Sequence, residues 1–101
     1  MSDVELDVQV VDNPELQRFE ARVDGTVAGV FAYRERPGNG LVLLHTEVDD
    51  AVEGKGVGSR LAAGALDDVR RRGLTVVPLC PFVSAYLKRH PEYADLVAPG
   101  R

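Results

Sequence analysis

Apolar residues recur at every second position along the first half of this chain, and at every third and fourth position once residue 59 is passed. The first pattern is that of strands. In VELDVQVV, residues 4 to 11, the alternation predicts a strand that Asp12, Asn13 and Pro14 then break. In LQRFEARV, Phe19, Ala21 and Val23 point one way and Arg18, Glu20 and Arg22 the other, the period of a half-buried strand. Asp24-Gly25 follows, a dipeptide that tolerates the positive φ angles of a primed hairpin turn. A third strand, TVAGVFAYRER, ends at Pro37-Gly38-Asn39-Gly40, and a fourth, LVLLHTEV, begins at Leu41.

The second pattern occupies SRLAAGALDDVRRRG, where Leu61, Ala65 and Val69 share a helical face with Leu66 beside it and Gly73 is placed as the stop. LTVVPLC reads as a fifth strand, and its largely apolar run predicts burial on both faces. Because a helical crossover separates it from the fourth strand, the two should run parallel. Pro78 cannot donate to a ladder, so pairing is expected to fail near it and the strands to splay. Residues 82 to 90 predict a short second helix; the tail PEYADLVAPGR carries no clear period. The elements read ββββαβα: an α+β chain with a mixed, mostly antiparallel sheet.

Composition narrows the function without naming it. At 101 residues the chain is expected to form one domain, residues 1 to 101, and its 45% hydrophobic and 28% charged residues are ordinary for a globular protein. Sixteen acidic residues against twelve basic ones give a net charge of −4, without the basic excess of a nucleic-acid binder. Arg70, Arg71 and Arg72 are expected to complement the dipole at a helix end. The start, MSDVELDVQV, shows no basic leader, and no apolar run approaches the ~18 residues of a membrane span, so a cytoplasmic location is expected. Cys80 is the single cysteine, which excludes an internal disulfide and a four-cysteine zinc site; no metal is expected.

The stretch VEGKGVGSRL places Gly54, Gly56 and Gly58 at alternate positions before the main helix, where successive N–H groups can converge on an anion. A Walker A loop would need glycine at Asp49 and Ser or Thr at Gly56, so that reading fails. A dinucleotide fingerprint would need its third glycine three residues after its second, and Gly56-Val57-Gly58-Ser59 does not supply it.

Strand, E-G-K-G-V-G-S, helix and a proline-interrupted parallel strand together resemble the GNAT acyltransferase superfamily. Its pyrophosphate loop is Gln/Arg-x-x-Gly-x-Gly/Ala; Gly56-Val57-Gly58 match the glycines, while Glu53 departs from the usual Gln or Arg. HTEVDDAVEGKGVGSRLAAGAL and VVPLCPFVSAYLKRHPEY are similar to a subgroup of very short GNAT-like proteins with a His-Thr-Glu-Val strand and a Pro-x-Cys segment. The resemblance covers residues 41 to 93. It implies acetyl-CoA as cosubstrate, with the diphosphate on the N–H groups of Gly54, Lys55, Gly56, Val57, Gly58 and Ser59. The pantetheine arm would enter the gap between strands four and five, and amides near Val48 would polarise the thioester carbonyl.

For the chemistry implied, acetyl transfer to an unidentified amine by direct attack, a base, oxyanion donors and an acid are required. His45 and Glu47 share one face of strand four, and an unperturbed imidazole titrates at about 6.5, so His45 is the first candidate base and Glu47 the second. His45 also reads as a hydrogen-bonded core residue. Tyr86 aligns with the tyrosine that many GNAT members use as acid, although His90-Pro91 replaces the usual following glycine, and it could instead pack with Phe82 one turn before. Cys80, before a helix N-terminus, could carry an acetyl-cysteine relay or be a buried structural thiol.

Ordinary GNAT proteins place two helices between their first and second strands, and here only Asp12 to Glu15 intervene. Either the acceptor site is open and suits an exposed amine on a protein, a second copy of the chain completes it as a homodimer, or no acceptor is used. The last case is a non-catalytic acyl-CoA-binding or sensing module.

Overall fold

The computed structural model describes residues 7–52 and 54–98. β1 (Val8–Asn13), β2 (Arg18–Val23), β3 (Thr26–Arg36) and β4 (Gly40–Val48) form an antiparallel meander. Helix α1 (Val57–Arg71) then crosses over to β5 (Thr75–Pro78), which pairs parallel with β4 at the end of a sheet ordered β1-β2-β3-β4-β5. Helix α2 (Pro81–Arg89) and a 3-10 turn (Pro91–Leu96) follow, and Val97 bridges in parallel to Val76. The α+β order ββββαβα expected from the periodicity is the one found. Residues 4 to 6 of the expected first strand lie outside the described residues, and β1 runs on to Asn13. Among the described residues, no helix is long and apolar enough to cross a membrane.

The turns follow their residue chemistry. Asp24 and Gly25 both take positive φ, 52° and 79°, as the primed hairpin requires. After β1, Asn13 accepts the Leu16 N–H on its backbone oxygen (3.2 Å) and on its side chain (3.3 Å), which closes the turn that Pro14 begins.

The core forms where α1 lays Val57, Leu61, Ala62, Ala65, Leu66 and Val69 on the sheet face carrying Phe19, Phe31 and Leu43. Each Val, Leu and Phe side chain among these contributes about 1.5–3 kcal/mol when fully buried. Val83, Tyr86 and Leu87 of α2 join the same cluster. Close approach of α1 to β1 depends on Gly64, where a Cβ would stand 2.6 Å from Val10 Cβ. With both helices in one cluster, the opposite sheet face is left largely open.

That openness corrects the reading of β5 as buried on both faces. Val76 is fully buried, but Val77 is only half-buried and Leu79 is 61% exposed. A largely apolar run matches a doubly covered strand, yet here only one side has a layer to bury against.

On the open face, Glu20 is nonetheless buried, being 2% accessible. Arg18 and Arg22 lie over it: Arg22 donates to Oε1 (2.7 and 3.2 Å), Arg18 to Oε2 (2.9 Å), and Asn13 to Oε2 (3.0 Å). Hydrogen bonds from Arg22 above all, then from Asn13, lower its pKa to about 2 against the opposing effect of burial. The arginines at the end of α1 do more than complement a dipole. Arg70 grips both oxygens of Asp95 (2.9 Å each) and the Glu92 carbonyl (2.7 Å), while Arg72 joins Asp68 to Asp12 of β1.

Candidate coenzyme cleft and acyl-transfer site

The site is built around a strand that changes faces midway. In β4, Leu41 and Leu43 are buried; Leu43 faces Tyr33 across the ladder, but His45 faces Ala32, so Leu44 is an extra, bulged residue. A bulge of one residue inverts the alternation beyond it. His45 and Glu47 therefore project from the open face with side chains 56% and 72% exposed, and their Nε2 and Oε2 atoms lie 3.4 Å apart. Thr46 and Val48 turn inward, opposite Phe31 and Gly29. The core-histidine reading of His45 is thereby excluded.

The same stretch is where β4 and β5 part. Their pairing runs from Gly40↔Thr75 to Leu43↔Pro78, and the Leu43 carbonyl then accepts both Leu79 N–H (3.0 Å) and Cys80 N–H (3.1 Å). Beyond this fork β4 continues to Val48 paired only with β3, roughly 17 Å at the usual rise per residue. Asp49 N–H bonds the Ala28 carbonyl (2.8 Å), and antiparallel partners alternate in their bonding. Glu47 and His45 thus direct their amides to β3, while Thr46 and Val48 direct theirs to the gap.

At the outer end of the gap stands the start of α1. Gly54 and Gly56 have φ of 84° and 82°, the left-handed region that favours glycine, and space at both is open. Gly58 is different. It is helical, and a Cβ there would lie 3.1 Å from Phe82 Cζ and 3.6 Å from Val48 Cγ2, so its lack of a side chain lets Phe82 of α2 approach α1 closely in the cleft wall. No side chain caps α1, and Arg60 N–H is the donor to the Gly56 carbonyl (3.0 Å). The N–H groups of Val57, Gly58 and Ser59 precede this first helical bond and carry the positive end of the dipole.

These parts line one cleft of about 390 Å³, walled by Thr46, Val48, Gly54, Gly56, Val57, Gly58, Ser59 and Phe82. Six of the residues expected at the coenzyme, Val48, Gly54, Gly56, Val57, Gly58 and Ser59, thus converge. Lys55 sits exposed in the loop outside the lining, and its N–H is engaged by the Val52 carbonyl (3.1 Å), which leaves its ammonium rather than its amide for an anion. The Val57 side chain is core, 1% exposed, so only its backbone can serve the cleft. Glu53, the departure from the family loop, lies outside the described residues.

Cys80 occupies the N-cap position of α2 at the fork, 2% exposed, with Sγ 3.5 Å from Thr46 Oγ1. Tyr86 is buried away from the cleft lining, its ring stacked on His90 with centroids 4.0 Å apart and tilted against Tyr93 at 6.2 Å. Burial first, and then Glu92 and Asp67, raise its pKa. Phe82 packs at Gly58 instead of serving as Tyr86's partner. The sequence pointed to Phe82 only as a packing partner for Tyr86 and did not single out Thr46. Thr46 becomes a lining residue only through the bulge at Leu44, which no pattern in LVLLHTEV announces.

A family model described as GCN5-related N-acetyl-transferase matches residues 18–96. Among individual proteins, Protein NATD1 of Gallus gallus is 32% identical over 95 residues, covering 91% of this chain and 86% of its own, and Protein NATD1 of Mus musculus is 30% identical over the same shares. In solved structures, a GCN5-like protein of Staphylococcus aureus superposes with a TM-score of 0.66 at 21% identity, over 96% of this chain and 92% of its own. N-acetylglutamate synthase of Neisseria gonorrhoeae, solved with coenzyme A and N-acetyl-glutamate, matches at a TM-score of 0.58 and 16% identity, over 87% of this chain and 26% of that one.

Proposed function

This chain belongs to the GCN5-related N-acetyltransferase family, and from that premise we propose that it binds acetyl-CoA in the β4–β5 cleft and transfers the acetyl group to a primary amine. The observation that carries the reading is the meeting, in one cleft, of the uncapped amides of α1 with the unpaired edge of β4. Amides of residues 57–59 would take the diphosphate, with Lys55 adding charge. The amide-bearing pantetheine arm would lie along Thr46 and Val48 like an added strand. The whole chain, on this reading, works as a single coenzyme-binding domain.

Transfer proceeds by attack of the amine nitrogen on the thioester carbonyl, with a new C–N bond formed and the C–S bond broken as the thiolate takes a proton. His45, on the open face with Nε2 3.4 Å from Glu47 Oε2, would accept the ammonium proton, and Val48 N–H would bond the developing oxyanion. Cys80 at the fork supports either a relay or a donor to the thiolate; the stack on His90 supports packing as the role of Tyr86.

Calorimetric titration with acetyl-CoA and desulfo-coenzyme A should show saturable heat, and an assay of thiol release with primary amines should show turnover. His45→Ala should lower kcat by about 10²-fold or more and flatten its pH profile, as loss of a general base does. Unchanged turnover would remove His45 from the role, and intact activity in Cys80→Ser would remove the relay. The exposure of His45 and Glu47, with no wall over them among the described elements, favours one second reading, a non-catalytic acyl-CoA sensor. Coenzyme binding without thiol release for any amine would select it.

A further inference from the structure

The open sheet face differs in charge from the rest of the molecule. From β2 and β3 it carries Arg18, Arg22, Arg34 and Arg36, and against them stand Glu15, Glu20 and Glu47, four positive charges less three negative, or +1 with His45 neutral. The whole chain is −4. Arg18 and His45 occupy one row across the strands, each paired with Ala32 between them, which sets their backbones roughly 10 Å apart. Glu20 takes hydrogen bonds from Arg18 Nε and from Arg22 Nε and Nη2, while the two arginine side chains stay 33% and 43% exposed. Arg34 and Arg36 are exposed.

Beside His45, a shallow hollow of about 290 Å³ is bounded by Ala32, Leu44, Arg34 and the turn residues Glu15 and Leu16, with Leu16 58% exposed. Glu15 and Glu47 flank the imidazole with negative charge, which suits an incoming ammonium; the arginines beyond suit anions. A small ligand would bury little of itself on so open a surface, whereas an extended chain could cross several strands.

Resting on the acetyl-transfer reading above, we infer that the acceptor amine is presented by an acidic polypeptide segment lying across the open face, its amine at His45–Glu47 and its carboxylates at Arg18, Arg22 and Arg34. Specificity then resides in charge next to the amine. The segment's apolar side chains meet Leu16 and Leu44.

The test is an NMR titration of the full chain with three lysine-containing peptides of equal length, flanked by aspartate and glutamate, by serine, or by arginine. The acidic peptide should bind saturably, shift the amides of Ala32, Leu44 and His45, and weaken about tenfold in 0.5 M salt or in Arg34→Glu/Arg36→Glu. Neither arginine is in an ion pair among the described residues, so this variant should retain the fold, and its spectrum reports that directly. Equal affinity for all three peptides, shifts confined to another surface, or concentration-dependent shifts of this face without peptide, marking a second copy as its occupant, would overturn the inference. Binding is read without turnover, so its failure is distinct from failure of acetyl transfer, which acetyl-CoA added to the same samples reports through residues 54–59.

Discussion

Replacing Gly58 by alanine should separate the cleft from the fold. Glycine at a helical position destabilises by up to about 1 kcal/mol relative to alanine, so on backbone grounds the substitution stabilises. Against this, the new methyl would meet Phe82 Cζ at 3.1 Å, a contact with the far end of a side chain that is 37% exposed and can swing aside, and Val48 Cγ2 at an ordinary 3.6 Å. The two effects nearly cancel, and the melting temperature should stay within about 3 °C of the parent. The coenzyme has no such freedom. On the acetyl-CoA reading, the methyl would push the Phe82 ring, part of the cleft wall, into the space proposed for the arm, and overpacking of that kind costs about 1–3 kcal/mol, or about 5- to 150-fold in Kd. Calorimetric Kd for acetyl-CoA, set beside differential scanning calorimetry, reads both quantities. If Gly58→Ala melts far lower yet binds acetyl-CoA as tightly as the parent, glycine at this position serves the helix packing and not the cleft.

Other substitutions report on the scaffold. Gly64→Ala should lower stability by about 2–3 kcal/mol, because the Cβ would stand 2.6–2.9 Å from three atoms of Val10, and denaturant unfolding measures this; an unchanged midpoint would mean β1 can slide off α1 at no cost. Glu20 has a folded-state pKa depressed from 4.5 to about 2, so its contribution is full above the ordinary value and lost as pH falls through that window. The shift corresponds to roughly 3 kcal/mol, which screening through the thin cover of two arginines reduces to about 1–2 kcal/mol. Unfolding of the parent should therefore weaken between pH 4.5 and 2 more steeply than that of Glu20→Gln, and parallel acid profiles would contradict the assignment.

How far the sequence reaches can be followed residue by residue. The strands from Arg18 to Val48 were legible because one face is covered and the other wet, which is the condition for period two. The parting of β4 and β5 was legible in Pro78, since a missing N–H is a local property. The glycine loop was legible as an anion cradle, but only Gly54 and Gly56 are there for their dihedrals; the reason for Gly58 is Phe82, a neighbour 24 positions away in sequence. The bulge at Leu44 was not legible, because any of LVLLHTEV can be the extra residue and the choice is made by pairing with β3. With it went the true lining of the cleft, Thr46, and the exposure of His45. Burial of Glu20 was hidden similarly, since alternation assigns a face and says nothing of what neighbouring arginines lay over it.

The central claim is that uncapped amides at the head of α1 and the unpaired edge of β4 together hold one coenzyme. Its most direct measurement is an amide-resolved NMR titration with acetyl-CoA. The account predicts that Val57, Gly58 and Ser59 shift together with Thr46 and Val48 along one saturation curve, while Ala21 and Gln9 on β2 and β1 stay in place. Shifts at the glycine loop with Thr46 and Val48 unmoved, or no shifts at saturating coenzyme, would contradict it.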